Sequence, residues 1–205
     1  MTLAITKFSS GDTDDTAKHI VLFLHGYGAD ERDLPELMSY LPDLPWYSPR
    51  APIDLGGAYS WYKAEDLLKP TVVDVAESTA ALLAWIDEYI PQETKLILIG
   101  FSQGGLMATQ LLRTRPERIS GTVILSGFMA VGELPTDSEL EQTKPKVIYC
   151  RGSEDQRITK EAIATLNTWL QTKTRAMTKT YAGLGHSVDE RVMRDVAQYI
   201  TSQLS

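Results

Sequence analysis

KLILIGFSQGGLMATQLL, Lys95 to Leu112, is the stretch on which the reading of this chain turns. Leu96 to Gly100 form a short apolar run, the signature of a strand buried on both faces. Leu106, Met107, Gln110 and Leu111 then recur at helical spacing. A strand is thus predicted to become a helix within a few residues, with Ser102 on the turn between Gly100 and Gly104. Gly105 adds a further small residue. A serine hydroxyl attacks a carbonyl only if it stands clear of the sheet, and a tight, strained turn lifts it there. The flanking glycines remove Cβ atoms that would collide as strand and helix converge. The new helix also aims free N–H groups, beginning with Gln103, at the point where an oxyanion would form. The bare GxSxG pattern arises by chance in roughly one chain of this length in fifteen. The strand before it and the striped helix after it make it specific.

Working outward, the N-terminal side offers Leu3 to Phe8 as an edge strand, a polar turn SSGDTDD, and a buried strand HIVLFL, His19 to Leu24. That strand closes on HGYGAD, His25 to Asp30. A glycine loop leaving an early strand lets backbone approach a substrate closely, which makes the Tyr27 N–H the second oxyanion donor. His25 is read as bracing the loop. Asp33 to Leu41 carries an apolar stripe that predicts a short amphipathic helix. PWYSPRAP leads into a long irregular segment, Arg50 to Pro70, containing Tyr59, Trp61 and Tyr62. A loop of that length in a compact domain is usually functional. Its aromatics are expected to form a substrate-binding wall, with packing on the core as the competing reading. Thr71 to Tyr89 is predicted to be the longest helix, stopped by Pro91.

On the C-terminal side, GTVILSG and KVIYC read as further buried strands. Met129 to Pro145 between them has room for a turn of helix and not for a cap domain, so the site is expected to be open and shallow. RGSEDQRI forms an acidic loop at a strand end, followed by a helix from Thr159 to about Gln171. A last strand, Thr178 to Tyr181, runs into AGLGHS, where His186 opens a helix striped by Val188, Val192, Val196 and Ile200. Strands alternating with helices imply a mostly parallel sheet with helices on both faces.

A serine hydroxyl needs a base within hydrogen-bond reach, and the base needs a third group to fix its tautomer. Where the nucleophile sits on such an elbow, the order along the chain is Ser, acid, His. Of the three histidines only His186 follows Ser102. The acid then lies on a loop at a strand's C-terminal end between them, which leaves Glu154 and Asp155. Cys150 reads as a buried small residue, since nothing basic adjoins it to lower its pKa.

These motifs (LHGYGAD, GFSQGG, SGF at Ser126 to Phe128, RGSED and GLGHS) together resemble the phospholipase/carboxylesterase family, which includes the acyl-protein thioesterases. The resemblance runs over nearly the whole chain. It implies an α/β-hydrolase fold without a large cap domain and hydrolysis of carboxylic esters or thioesters, with no metal or cofactor. It also implies Ser102 as nucleophile, Asp155 as orienting acid, His186 as base, and Tyr27 and Gln103 as oxyanion donors. Relatives usually carry HG where this chain has Arg151 and Gly152, and often valine and proline where it has Ile158 and Thr159.

The expected substrate is a small-molecule ester of short to medium acyl length. An acyl-protein thioesterase or lysophospholipase is the alternative, and a non-catalytic binding protein on the same scaffold the reading from another class. The 205 residues, 43% hydrophobic and 23% charged, suit one domain. A net charge of −7 argues against nucleic acid or an anionic membrane surface as partner. The N-terminus lacks a basic segment followed by an apolar one, and no run approaches the roughly 18 residues of a membrane span, so a cytoplasmic location without membrane insertion is expected. An exposed apolar helix would offer a homodimer interface. A single cysteine excludes an intrachain disulfide.

Overall fold

In a computed structural model describing residues 3–12 and 16–204, seven strands form one sheet in the order β1-β3-β2-β6-β7-β8-β9. β1 is Phe8–Ser10, β2 His19–Leu24 and β3 Trp46–Pro49, and a separate small hairpin pairs β4 (Ile53–Asp54) with β5 (Tyr59–Ser60). Helix α1 (Ala76–Tyr89), strand β6 (Lys95–Phe101), helix α2 (Gln103–Thr114) and strand β7 (Ile119–Leu125) follow. The chain continues through α3 (Asp137–Thr143), β8 (Lys146–Gly152), α4 (Lys160–Lys173), β9 (Arg175–Tyr181) and α5 (Glu190–Thr201). Every pairing in the large sheet is parallel except β1 with β3. This is the mostly parallel sheet that the alternating elements predict, in the α/β-hydrolase arrangement that the family resemblance implies, without a large added domain among the described residues.

The core explains why the central strands read as continuous apolar runs. Leu96 and Leu98 of β6 point into a cluster shared with α1 and α2, while Ile97 and Ile99 point the opposite way, toward α5. Both sheet faces are covered, so both sets of alternating side chains are apolar. Helix α2 lies deeper than its stripe suggests, with every residue from Gln103 to Arg113 buried. The one charged side chain among them, Arg113, reaches Asp137 of α3 at 2.7 Å and Gly132 O at 2.6 Å. A buried charge is tolerated only when paired and hydrogen-bonded in this way. Among the described residues no helix is long and apolar enough to cross a membrane.

Several boundaries differ from expectation. The edge strand begins at Phe8 and not Leu3, and Thr13 to Asp15 of the polar turn lie outside the described residues. Residues 35–40 form a 3-10 helix and not an α-helix, opened by Pro35, with the Leu37 N–H on Leu34 O at 3.0 Å. Helix α1 starts at Ala76, five residues later than its periodicity predicts. Asp74 accepts from the Thr71 N–H at 2.7 Å, and the Val72 N–H donates to Val131 O at 2.9 Å. These bonds hold residues 71–74 away from the helical path. α1 also shares its length of 14 residues with α4. The segment from Met129 to Pro145 carries a seven-residue helix where about one turn was expected. β9 runs the full Arg175–Tyr181, and α5 starts four residues after His186.

Candidate active site

Ser102 sits between β6 and α2 with φ 54° and ψ −114°, a conformation that side chains rarely adopt. The crowding around it accounts for the glycine spacing. A Cβ on Gly100 would stand 2.2 Å from Gly104 O, and one on Gly104 would stand 1.8 Å from Leu24 O. The turn is pinned from the neighbouring strand, as the Ser102 N–H donates to Leu125 O at 2.8 Å. Its hydroxyl does not cap α2, and the residue lines the cleft described below.

His186 follows β9, and its Nδ1 stands 2.8 Å from Asp155 Oδ2. The carboxylate is only 1% exposed, so an imidazole N–H directed at it makes a shielded, charge-assisted bond. Asp155 is fixed in turn, its Oδ1 accepting from the Arg157 and Ile158 N–H groups at 2.9 and 3.3 Å. The loops bearing acid and base are sewn together by main chain, Ser153 N–H to Tyr181 O and Glu154 N–H to Leu184 O, both 2.9 Å. Glu154 points to solvent. Of the two carboxylates that chain order left open, Asp155 is the one within hydrogen-bond distance of His186. The Phe101 ring lies 4.8 Å from the His186 ring and limits its tilt.

His25 is fully buried and braces the loop it begins. Its Nε2 accepts from the Ala51 N–H at 3.0 Å, which leaves Nδ1 to carry the proton toward Gly26 O at 2.8 Å. That tautomer is neutral, and burial pushes the ring's pKa below its ordinary value. The Gly28 N–H is taken by Tyr59 O at 2.8 Å, whereas among the described residues no main-chain or side-chain acceptor engages the Tyr27 or the Gln103 N–H. Both expected oxyanion donors are thus uncommitted, and both residues border the cleft that holds Ser102 and His186.

That cleft measures about 500 Å³. Beyond the residues already placed there, it is walled by Phe101, Leu67, Leu68, Phe128, Ile158 and Arg157. Tyr59, Trp61 and Tyr62 do not line it, which corrects their assignment as substrate-binding residues. Trp61 is 0% and Tyr62 1% exposed. Trp61 packs behind the site, its ring N–H donating to His25 O at 2.9 Å and its main-chain N–H to Gln103 Oε1 at 2.9 Å. Gln103 Nε2 completes the hook on Ser60 Oγ at 3.0 Å. Tyr59 lies under the Arg50 guanidinium, 4.2 Å from its ring centroid, and Arg50 is clamped to buried Glu31 at 2.5 and 2.8 Å. The aromatics therefore support the Tyr27 loop from the protein side, and two leucines further along the same segment face the cleft. Of these wall residues, Phe101 in GFSQGG and Phe128 in SGF lay within motifs.

Cys150 is buried against Tyr181, and burial pushes its thiol up to about 11, so it is no rival nucleophile. A second cleft of about 520 Å³ beside α4 contains the Arg113–Asp137 pair, whose members already satisfy each other. Among the described residues no three His, Cys, Asp or Glu side chains converge to hold a metal.

A family model described as Phospholipase/Carboxylesterase matches residues 9–204. Acyl-protein thioesterase 1 of Kluyveromyces lactis is 26% identical, over 92% of this chain and 93% of its own. Carboxylesterase SOBER1 of Arabidopsis thaliana is also 26% identical, over 92% of each chain. Among solved structures, a Bacillus cereus carboxylesterase superposes with a TM-score of 0.80 at 18% identity, covering 96% of this chain and 94% of that one.

Proposed function

The chain belongs to the phospholipase/carboxylesterase family of hydrolases, and we propose that within it this protein is a carboxylesterase acting on esters of short to medium acyl length through Ser102, His186 and Asp155. One observation carries the reading. A strained serine shares a cleft with a histidine whose far nitrogen is bound, at 2.8 Å, to a carboxylate sealed from water.

The reaction follows from the groups in place. His186 Nε2 takes the Ser102 proton as Oγ attacks the ester carbonyl, and Asp155 stabilises the imidazolium through Nδ1–H. The Tyr27 and Gln103 N–H groups receive the oxyanion. Collapse of the tetrahedral species expels the alcohol, which His186 protonates, and leaves an acyl group on Ser102. Water activated by the same imidazole then releases the acid. Without substrate the serine and histidine need not be hydrogen-bonded, since such contacts often tighten only on binding. The apolar wall of Leu67, Leu68, Phe128 and Ile158 suits an acyl chain, and the absence of a large lid keeps that chain modest.

An organophosphonate should label Ser102 stoichiometrically. Ser102→Ala should lose roughly 10⁴ or more of the turnover on a nitrophenyl ester while keeping the fold. Labelling elsewhere, or an active mutant, would remove the esterase reading. Acyl-protein thioesterase activity is the second reading, favoured by the relative of that name. Faster turnover of an acylated peptide thioester than of a nitrophenyl ester would establish it.

A further inference from the structure

The cleft has an uneven charge. Among the described residues its walls include no aspartate or glutamate, although the chain carries 27 of them against 20 lysines and arginines. Besides His186 and the Tyr27 phenol, its one ionisable side chain is that of Arg157. Most arginines of the molecule are occupied: Arg32, Arg50, Arg113, Arg115 and Arg191 pair with carboxylates, and Arg118 binds the Thr94 and Pro91 carbonyls. The Arg157 guanidinium has no such partner among the described residues. Its main-chain N–H is tied to Asp155 Oδ1 at 2.9 Å, so the side chain starts from a fixed point beside the acid that orients His186.

Resting on the esterase reading above, we propose that Arg157 is a specificity-determining residue and that the preferred esters carry an anionic oxygen group, such as a carboxylate, near the reacting carbonyl. A guanidinium offers a planar fork of donors that matches a carboxylate in two-point contact. Arg157 is exposed at the cleft's rim, where it meets an incoming anion first. The wider field makes the cation necessary, since a protein of net charge −7 repels an approaching anion unless a local positive group offsets that repulsion. The rest of the wall binds the hydrocarbon part and is indifferent to the charge.

The test compares matched pairs of esters differing only in whether a carboxylate is free or methyl-capped. One pair carries it on the acyl side, as the 4-nitrophenyl half-ester of glutaric acid and its methyl ester. The other carries it on the alcohol side, as the butyrate of 4-hydroxybenzoic acid and of its methyl ester. For at least one pair, the ratio of kcat/KM for free over capped ester should fall about tenfold or more in Arg157→Gln and further in Arg157→Glu. The change should appear in KM more than in kcat. The pair that responds tells which side of the substrate bears the anion. In the wild type the ratio should also shrink as salt is raised. Circular dichroism and thermal melts should match the wild type, since the guanidinium holds no other part of the fold. Ratios unchanged by both substitutions in both pairs would overturn the inference while leaving the esterase intact. Hydrolysis of none of the four esters would instead defeat the esterase reading and this inference with it.

Discussion

The two sides of the cleft are held in place by different means. On the Ser102 side, main chain touches main chain: Gly100 and Gly104 close on backbone atoms with no space for even a methyl group, and no side chain is needed to set the turn. On the Tyr27 side, side chains reach long distances to hold a loop, as His25 does with Ala51, Trp61 with His25 and Gln103 with Trp61 and Ser60. A wall built from backbone contact tolerates nothing at its closest points. A wall built from hooks gives way in steps.

The sharpest break in that comparison is Gly104→Ala. Its Cβ would overlap Leu24 O, an atom within a central strand, so either the helix or the sheet must move. We expect a loss of about 4 kcal/mol or more, read by urea unfolding or as failure to recover soluble protein. A stable Gly104→Ala protein would show that the turn is more yielding than its contacts indicate.

Between the two, on the loops that main chain ties together, Asp155→Asn should leave the fold standing and lower turnover by roughly 10³ to 10⁴, because an amide can hold the imidazole in the wrong tautomer. Glu154→Gln, one residue away and facing solvent, should change turnover by less than about tenfold. Assay of both on one ester at pH 7.5 checks the pair, and a larger loss in Glu154→Gln would reverse the assignment of the acid.

Gln103 joins the two systems, with its main chain in the turn and its amide in the hooks. Gln103→Ala strands the buried Trp61 N–H, a cost of about 1–3 kcal/mol in unfolding free energy. Turnover should fall by about tenfold as the Tyr27 loop loosens. Lost stability with undiminished turnover would separate the loop from catalysis.

The smallest effect concerns His25. Its folded pKa lies below the ordinary 6.5, chiefly through burial, so on acidification the unfolded chain takes up the proton first. Stability should therefore fall as pH drops below about 6.5 toward the folded value. His25→Gln can still accept from Ala51 and should flatten this part of the pH profile. A profile unchanged by the substitution would place the sensitivity elsewhere.

The same contrast explains what was legible in the amino-acid sequence. Backbone-built features follow a local rule, so Gly100, Ser102 and Gly104 declared the elbow, and chain order then selected His186. The acid stayed open between Glu154 and Asp155 on the residues alone, because adjacent side chains in a loop obey no period that sorts them. Trp61 and Tyr62 were misplaced for a related reason. Their partners are remote, His25 O being 36 positions from the Trp61 ring N–H, and an aromatic residue in an irregular segment gives no sign of which way it faces. Leu67, Leu68, Arg157 and Ile158 had no spacing at all to mark them as wall. β9 was read short because its first residues, with Arg175 and Met177 exposed, show no apolar pattern.

That strand is also the outermost on its side of the sheet, with Met177 half exposed along it. The turn bearing Ser102 hangs from the middle of the sheet, and the loop bearing His186 hangs from its rim. Rims open at lower free energy than centres, since fewer buried contacts are lost when they do. A brief detachment of β9 carries the histidine away from a serine that has not moved, in a molecule whose core is still closed. Such an opening would leave the molecule folded and inert, and amide exchange along β9 would measure how often it occurs.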